Sequence, residues 1–143
     1  ILLALKVISK DMDIYFPKHP RTEKNIKSFG LRSVVQDTRI HVIPPQSYLE
    51  FLVLWKEAAL VLTDSGGLQE ETTAIGIPCF TIRENTERPI TIEEGTNTLV
   101  GTKAKGILEA YKLFKEGIKK NGKIPELWDG KTAERIINYL LDK

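Results

Sequence analysis

Residues 63–71, TDSGGLQEE, follow an apolar ALVL run and join it, through a turn of small residues, to the pattern of a helix. The apolar run predicts a buried strand, and the glycines of the turn allow the backbone to enter a helix that begins near Leu68. If Ser65 is the N-cap of this helix, the amides of Gly66 and Gly67 have no acceptors within the helix. Since glycines leave room for a ligand beside these amides, the segment predicts a binding site for a phosphate group.

Short apolar runs alternate with helical patterns along the rest of the chain. The predicted strands are residues 13–16, 40–43, 59–62, 78–82 and 98–101. The predicted helices are residues 1–10, 23–29, 47–58, 68–75, 103–119 and 132–141. This alternation predicts an α/β fold in which helices cover both faces of a parallel sheet. Ligands on such sheets bind beyond the carboxyl ends of the strands, which is where the unusual polar loops of this chain lie.

The composition is that of one globular domain. At 143 residues, with 41% of them hydrophobic, the chain can bury about two thirds of its unfolded surface in a single core. Its 21 basic and 19 acidic residues are too balanced to indicate a nucleic-acid partner. No apolar run approaches the roughly 18 to 20 residues of a membrane span, and no signal peptide is visible. We therefore expect a cytoplasmic protein with no membrane partner.

The residues that commonly bind metals or cofactors do not occur in the usual patterns. The one cysteine, Cys79, lies in the apolar run IPCFTI and is expected to be a small buried hydrophobe. Neither HExxH nor paired CxxC spacing occurs, so no metal is predicted. The GxGxxG pattern of dinucleotide-binding folds is also absent, and we expect no cofactor.

Two adjacent carboxylates, Glu70 and Glu71, follow the turn on the same predicted helix. A carboxylate one turn beyond a bound phosphate can accept hydrogen bonds from both hydroxyls of a ribose. Because adjacent helical residues project about 100° apart, only one of the two can face such a ligand, and we predict Glu71. The alternative is that both are solvated carboxylates, which the helix dipole favours near the N-terminus.

Four segments of the chain together resemble the UDP-N-acetylglucosamine 2-epimerases. They are residues 16–22 (FPKHPRT), 39–51 (RIHVIPPQSYLEF), 63–102 (which contain TDSGG and TERP) and 126–136 (ELWDGKTAERI). The combination of TDSGG with TERP is specific, and the likeness covers nearly the whole chain. It implies that residues 1–143 are the C-terminal, UDP-binding half of a two-domain, GT-B-like protein with two Rossmann-like halves. Because the chain starts inside a helical pattern and without Met, we expect the N-terminal domain to be absent from it.

The resemblance implies roles for two charged loop residues. His19, in the HPR motif, is implied to be a catalytic residue beside the UDP phosphates, and Arg88 of TERP is implied to face the phosphate and sugar. The alternative for His19 is an ordinary surface residue, and for Arg88 it is a structural salt bridge with Glu84 or Glu87. His41 lies in a predicted strand, and we expect it to be structural or partly exposed.

Recognition of the base is implied for two residues that follow the second predicted strand. The ring of Phe51 is implied to pack on uracil, with the amide of Gln46 near its polar edge; stacking on a base contributes about 1–3 kcal/mol. Phe51 also belongs to a helical repeat with Tyr48, Leu52 and Trp55, for which core packing is the alternative. The full predicted UDP-binding set is Gln46, Phe51, Ser65, Gly66, Gly67, Glu71 and Arg88.

The activity implied by the resemblance is the isomerisation of a nucleotide sugar. UDP-GlcNAc and UDP-ManNAc are interconverted by elimination and readdition of UDP, a reaction that serves the biosynthesis of cell-surface polysaccharides. The carboxylates that transfer protons are implied to lie in the other half, so this chain alone is expected to be inactive. The full-length protein is expected to be a homodimer. Three alternatives stay open: a hydrolysing UDP-GlcNAc 2-epimerase, a GT-B glycosyltransferase, and a non-catalytic nucleotide-binding module.

Overall fold

The computed structural model describes residues 1–36, 38–118 and 120–142 of the 143-residue chain. The helices of this described part are α1 (Leu2–Ile8), α2 (Pro20–Ser28), α3 (Arg32–Val35), α4 (Tyr48–Lys56), α5 (Gly66–Ile75), α6 (Pro89–Glu93), α7 (Ala104–Lys115) and α8 (Thr132–Leu141). Its strands are β1 (Ile14–Pro17), β2 (Ile40–Ile43), β3 (Val61–Thr63), β4 (Cys79–Thr81) and β5 (Asn97–Leu99). The chain divides into a first unit, Ile1–Glu57 with Val100–Ile118, and a second unit, Ala58–Leu99 with Lys119–Lys143.

The first unit contains a parallel pair of strands. β1 and β2 are in register from Ile14↔Ile40 to Pro17↔Ile43. Apolar side chains from β2 and from four of the helices form the core of this unit: Ala4, Leu5, Ile8, Ile26, Ile40, Trp55, Ile107 and Tyr111. Asp11, just after α1, accepts hydrogen bonds from Lys115 at 2.7 Å and from Tyr111 at 3.2 Å, and both donors lie on α7. These contacts join α1 to α7 at the edge of the core.

The second unit contains three parallel strands in the order β3-β4-β5. Its buried apolar residues include Val61, Leu68, Ile77, Cys79 and Phe80. α5 follows β3 directly and ends at Gly76, whose φ of 78° is the left-handed conformation that commonly ends a helix. The N-terminus of α5 therefore lies at the carboxyl end of β3, where ligands bind on parallel sheets.

Parallel pairing between the described strands confirms the predicted α/β fold. β2 has the predicted bounds, and the bounds of the other four strands differ from the predicted ones by at most two residues. α3 and α6 were not predicted, because they are short segments of mixed polarity without a helical repeat. The described strands form two sheets, β1-β2 and β3-β4-β5, where one sheet was expected. Apolar runs locate strands but do not specify which strands pair.

Cys79 is fully buried in β4, as predicted for a small hydrophobe. Burial raises the pKa of its thiol to about 11, so the thiol is protonated and unreactive at neutral pH. Within the described ranges, no helix combines the length and hydropathy needed to cross a membrane.

Candidate functional site

The turn between β3 and α5 leaves the start of a helix open. Ser65 is the N-cap, in an extended conformation (φ −79°, ψ 128°), and α5 begins at Gly66 rather than near Leu68. Thr63 fixes the turn, because its Oγ1 accepts a hydrogen bond of 3.0 Å from the Ser65 amide. The backbone amide of Gln69 donates to the Ser65 carbonyl at 3.3 Å, which is the first hydrogen bond of the helix. The backbone amides of residues 66–68 therefore belong to a first turn and have no acceptors within the helix. Ser65 and Gly67 are both exposed.

Arg88 lies against this helix end. A Cβ placed on Gly66 would be 4.0 Å from both Cγ and Nε of Arg88. Nε of Arg88 is 2.9 Å from Oε1 of Glu70, and Nη1 donates to the carbonyl of Glu87 at 3.3 Å. The carboxylate of Glu87 pairs with Arg83 instead, at 3.1 Å. Arg88 therefore pairs with a carboxylate on α5, and this contact brings the TERP segment to the glycine turn.

An open depression of about 270 Å³ beside α5 is lined by Glu70, Glu71, Ala74 and Trp128. Glu71 and Trp128 are both partly exposed. A carboxylate that accepts hydrogen bonds and an aromatic face next to it are suited to a sugar with vicinal hydroxyls. Trp128 was not predicted as a site residue. The available signal was a tryptophan in the loop of mixed polarity before the last helix.

The segment that carries Trp128 is held by Arg135 of α8. Arg135 donates to both carboxylate oxygens of Asp129, at 3.0 Å and 2.9 Å, and to the carbonyl of Leu127 at 2.8 Å. Leu127 has a φ of 67°, which is uncommon for a residue with a side chain. Hydrogen bonds from Arg135 and from the amide of Lys131 lower the pKa of Asp129 to about 2. The residues on either side of Trp128 are therefore fixed by one guanidinium group.

His19 follows β1 and is the N-cap of α2 (φ −65°, ψ 144°), the extended conformation predicted for a residue before proline. Its Nδ1 accepts a hydrogen bond of 3.2 Å from the amide of Arg21. In a neutral imidazole the accepting nitrogen is unprotonated, so the proton lies on Nε2. The exposed ring of His19 therefore presents Nε2 as a hydrogen-bond donor.

Gln46 and Phe51 follow the carboxyl end of β2. The side-chain nitrogen of Gln46 donates to the carbonyl of Pro44 at 2.7 Å. Phe51 lies on α4 and is partly exposed, whereas Trp55 is only 4% exposed and Tyr48 is 63% exposed. The alternative of core packing is therefore confirmed for Trp55 and is wrong for Tyr48. Phe51 lies between these extremes and keeps part of its ring accessible.

His41 has structural contacts and is partly exposed, as predicted. Its Nε2 is 2.8 Å from Oδ1 of Asp13, and its ring stacks on Tyr15 with centroids 4.9 Å apart. Asp13 also pairs with Arg39, and hydrogen bonds from Arg39, the larger cause, and from His41 lower the pKa of Asp13 to about 2. Asp13 and Arg39 precede their strands, so this cluster marks the end of the strand pair opposite to His19.

Each unit therefore presents part of the predicted set at the carboxyl ends of its strands. In the second unit the glycine turn, Arg88 and the α5 carboxylates come together; in the first unit His19 and Gln46 follow paired strands. No group of three His, Cys, Asp or Glu that could hold a metal occurs in the part of the chain that the structure describes.

Comparison with known proteins identifies the family. The family model described as UDP-N-acetylglucosamine 2-epimerase matches residues 1–141. The chain belongs to this family. The contacts that its residues make with a nucleotide stay predictions.

Two relatives and one solved structure show how this 2-epimerase family member compares with others. The UDP-N-acetylglucosamine 2-epimerase of Methanocaldococcus jannaschii is 45% identical over 131 residues, which are 91% of this chain and 35% of that protein. The enzyme of the same name from Methanococcus maripaludis is 41% identical over 144 residues, with 98% and 38% covered. The crystal structure of the M. jannaschii enzyme in complex with UDP-GlcNAc and UDP has a TM-score of 0.81 at 41% identity and covers 99% of this chain and 39% of that one. The chain thus spans well under half the length of the proteins it matches.

Proposed function

We propose that residues 1–143 are the C-terminal, UDP-binding, Rossmann-like domain of a UDP-GlcNAc 2-epimerase, whose N-terminal domain is not part of this chain. The main observation behind the proposal is that the side chain of Arg88 lies next to the N-terminus of α5. Its Cγ and Nε are each 4.0 Å from a Cβ placed on Gly66. Support comes from a matched structure, at 41% identity, that was solved with UDP-GlcNAc and UDP. The complete protein would interconvert UDP-GlcNAc and UDP-ManNAc.

The diphosphate would bind at the N-terminus of α5. The amides of Gly66 and Gly67 and the hydroxyl of Ser65 supply donors, and the helix dipole adds about 0.3–1 kcal/mol for an anion. Nη1 of Arg88 donates one proton to a carbonyl, and Nε lies 2.9 Å from Glu70 as an ion pair without a hydrogen bond. A guanidinium has five N–H donors, so Arg88 can bind a phosphate while it keeps these contacts.

The nucleoside would be recognised by three of the predicted residues. Glu71 accepts the ribose hydroxyls, since it lines the depression beside α5 together with Trp128. Gln46 and the accessible ring of Phe51 are the proposed contacts of uracil. Several such groups are needed, because a charge-assisted hydrogen bond contributes only about 1.5–3 kcal/mol.

The role of this domain in catalysis would be to stabilise the leaving group. In the elimination step, a base removes the proton from C2 of the sugar, the bond between C1 and the UDP oxygen breaks, and a glycal forms. In the readdition step, UDP returns to C1 as C2 is reprotonated on the other face. The negative charge that grows on the departing phosphate is met by the α5 amides, Arg88 and the Nε2–H of His19. The proton-transferring carboxylates belong to the proposed N-terminal domain, and the complete enzyme would be a cytoplasmic homodimer that serves cell-surface polysaccharide synthesis.

The proposal is tested by assaying the chain and the full-length protein side by side. Calorimetry with UDP should show weak binding to the chain, and NMR should show conversion of UDP-GlcNAc to UDP-ManNAc by the full-length protein only. Turnover by residues 1–143 alone would contradict the division of roles between the domains. Release of free N-acetylmannosamine by the full-length protein would show the hydrolysing activity instead.

A further inference from the structure

A closed ring of hydrogen bonds runs through the backbone of Arg88. Thr86 Oγ1 accepts the Arg88 amide at 3.0 Å and donates to Oε1 of Gln69 at 2.6 Å. On the other side, Thr91 Oγ1 donates to the Arg88 carbonyl at 2.7 Å and accepts from Nδ2 of Asn97 at 3.1 Å. Nδ2 of Asn97 also donates to Oε1 of Gln69 at 3.1 Å, which closes the ring.

The two amide side chains of the ring are fully buried and well supplied with partners. Gln69 and Asn97 are both 0% exposed. Gln69 Oε1 accepts two hydrogen bonds, and its Nε2 donates to the carbonyl of Ser65 at 3.2 Å. Asn97 Oδ1 accepts from Thr81 Oγ1 at 2.7 Å. Buried polar groups with satisfied partners define one geometry, because any displacement would leave a donor or acceptor without a partner.

The ring connects the two parts of the proposed phosphate site. At one end Gln69 holds the carbonyl of Ser65, which is the N-cap of α5. At the other end the hydroxyls of Thr86 and Thr91 hold the backbone of Arg88 on both sides. The side-chain contact between Arg88 and Glu70 is 40% to 41% exposed, and exposed ion pairs hold position weakly. The partly buried hydrogen bonds to the backbone are therefore the stronger constraint on where Arg88 lies.

We propose that Gln69 and Thr86 are positioning residues: through this ring they hold the backbone of Arg88 where its guanidinium lies over the N-terminus of α5. The inference rests on the proposed binding of UDP at that helix end. It assigns no contact with the ligand to either residue: both act through Arg88. A fixed backbone limits the positions that the Arg88 side chain can reach, which lowers the cost of ordering this side chain when the ligand binds.

Replacement of Thr86 by valine and by serine tests this role. Valine has nearly the same shape as threonine but lacks the hydroxyl, whereas serine keeps it. Thr86→Val should raise the Kd for UDP about tenfold, which is about 1.4 kcal/mol, and Thr86→Ser should stay within about twofold of the wild type. Thr96→Val is the matched control, since its buried hydroxyl donates to the carbonyl of Ile77 at 2.6 Å outside the ring. This control should lower thermal stability and leave the Kd within about twofold.

A double-mutant cycle separates positioning from general loosening of the fold. In an Arg88→Ala background, Thr86→Val should add less than about a twofold change in Kd, because the residue through which it acts is gone. An equal effect of Thr86→Val with and without Arg88 overturns the proposal. So does a loss of affinity in Thr96→Val as large as that in Thr86→Val.

Amide hydrogen exchange of the unliganded wild-type chain provides a test that needs neither UDP nor a variant. The amide of Arg88 should exchange slowly, because Thr86 accepts its proton inside the ring. Rapid exchange at Arg88 overturns the proposal even if UDP binds. Failure of the wild type to bind UDP, with a protected Arg88 amide, refutes the proposed function and leaves the ring itself supported.

Discussion

Replacing Glu71 by glutamine should weaken UDP binding far more than the same change at Glu70. Glu71→Gln removes the charge from the proposed acceptor of the ribose hydroxyls, and hydrogen bonds to a charged group contribute about 1.5–3 kcal/mol. The Kd for UDP should therefore rise by about 10-fold to 150-fold. Glu70 is adjacent on α5, but its carboxylate pairs with Arg88 at 2.9 Å and the two side chains are 40% and 41% exposed. Such pairs contribute about 0.2–1 kcal/mol, so Glu70→Gln should raise the Kd by no more than about fivefold.

Calorimetry with UDP and with 2′-deoxy-UDP decides whether the ribose is the group involved. If Glu71 accepts the 2′-hydroxyl, the affinity lost in Glu71→Gln should be smaller for the deoxy analogue than for UDP. An equal loss with both ligands would place Glu71 away from the 2′-hydroxyl. A larger effect from Glu70→Gln, or no effect from either change, would show that the orientation assigned to the α5 carboxylates is wrong.

Three further predictions concern packing, acid stability and catalysis. A Cβ on Gly106 would lie 2.3 Å from the carbonyl oxygen of Val100, so Gly106→Ala should lower the free energy of unfolding by about 1–3 kcal/mol in urea titrations, despite the better helix propensity of alanine. The pKa of Asp129 is lowered to about 2, so the contribution of its charge to stability is present above about pH 4 and is lost as the pH falls through 2. Asp129→Asn should therefore destabilise the chain at pH 6 and make little difference at pH 2, which unfolding followed by circular dichroism would measure. In the full-length enzyme, His19→Asn should lower kcat by about 10²-fold or more with a smaller change in KM, whereas His41→Asn should lower the melting temperature before it lowers kcat.

The positions of strands and the phosphate turn were predictable because they depend on local signals. Strands buried in parallel sheets appear as apolar runs, and β2 was predicted with its observed bounds. Ser65 was a candidate N-cap, because small polar residues before a helical pattern commonly occupy that position, and the structure confirms it. The start of α5 was placed too late, since glycines lower the helix propensity of its first turn.

Contacts between distant segments were not predictable from residue patterns. The alternative for Arg88 was a salt bridge with Glu84 or Glu87, its neighbours in sequence, but the carboxylate that it contacts is Glu70 on another element. Gln69 and Asn97 are polar residues that pattern rules place at the surface, yet both are fully buried because they satisfy each other. Trp128 reaches the depression beside α5 because its loop is clamped, and no repeat signals such a contact.

The central claim is that the phosphates of UDP bind the amides at the N-terminus of α5. A titration of the ¹⁵N-labelled chain with UDP, followed by ¹H–¹⁵N NMR and compared with a titration with uridine, tests it most directly. The amides of Gly66 and Gly67 should move downfield with UDP, as donors to an anion do, and should stay in place with uridine. Saturation of the chain with UDP while both glycine amides keep their positions would contradict the claim.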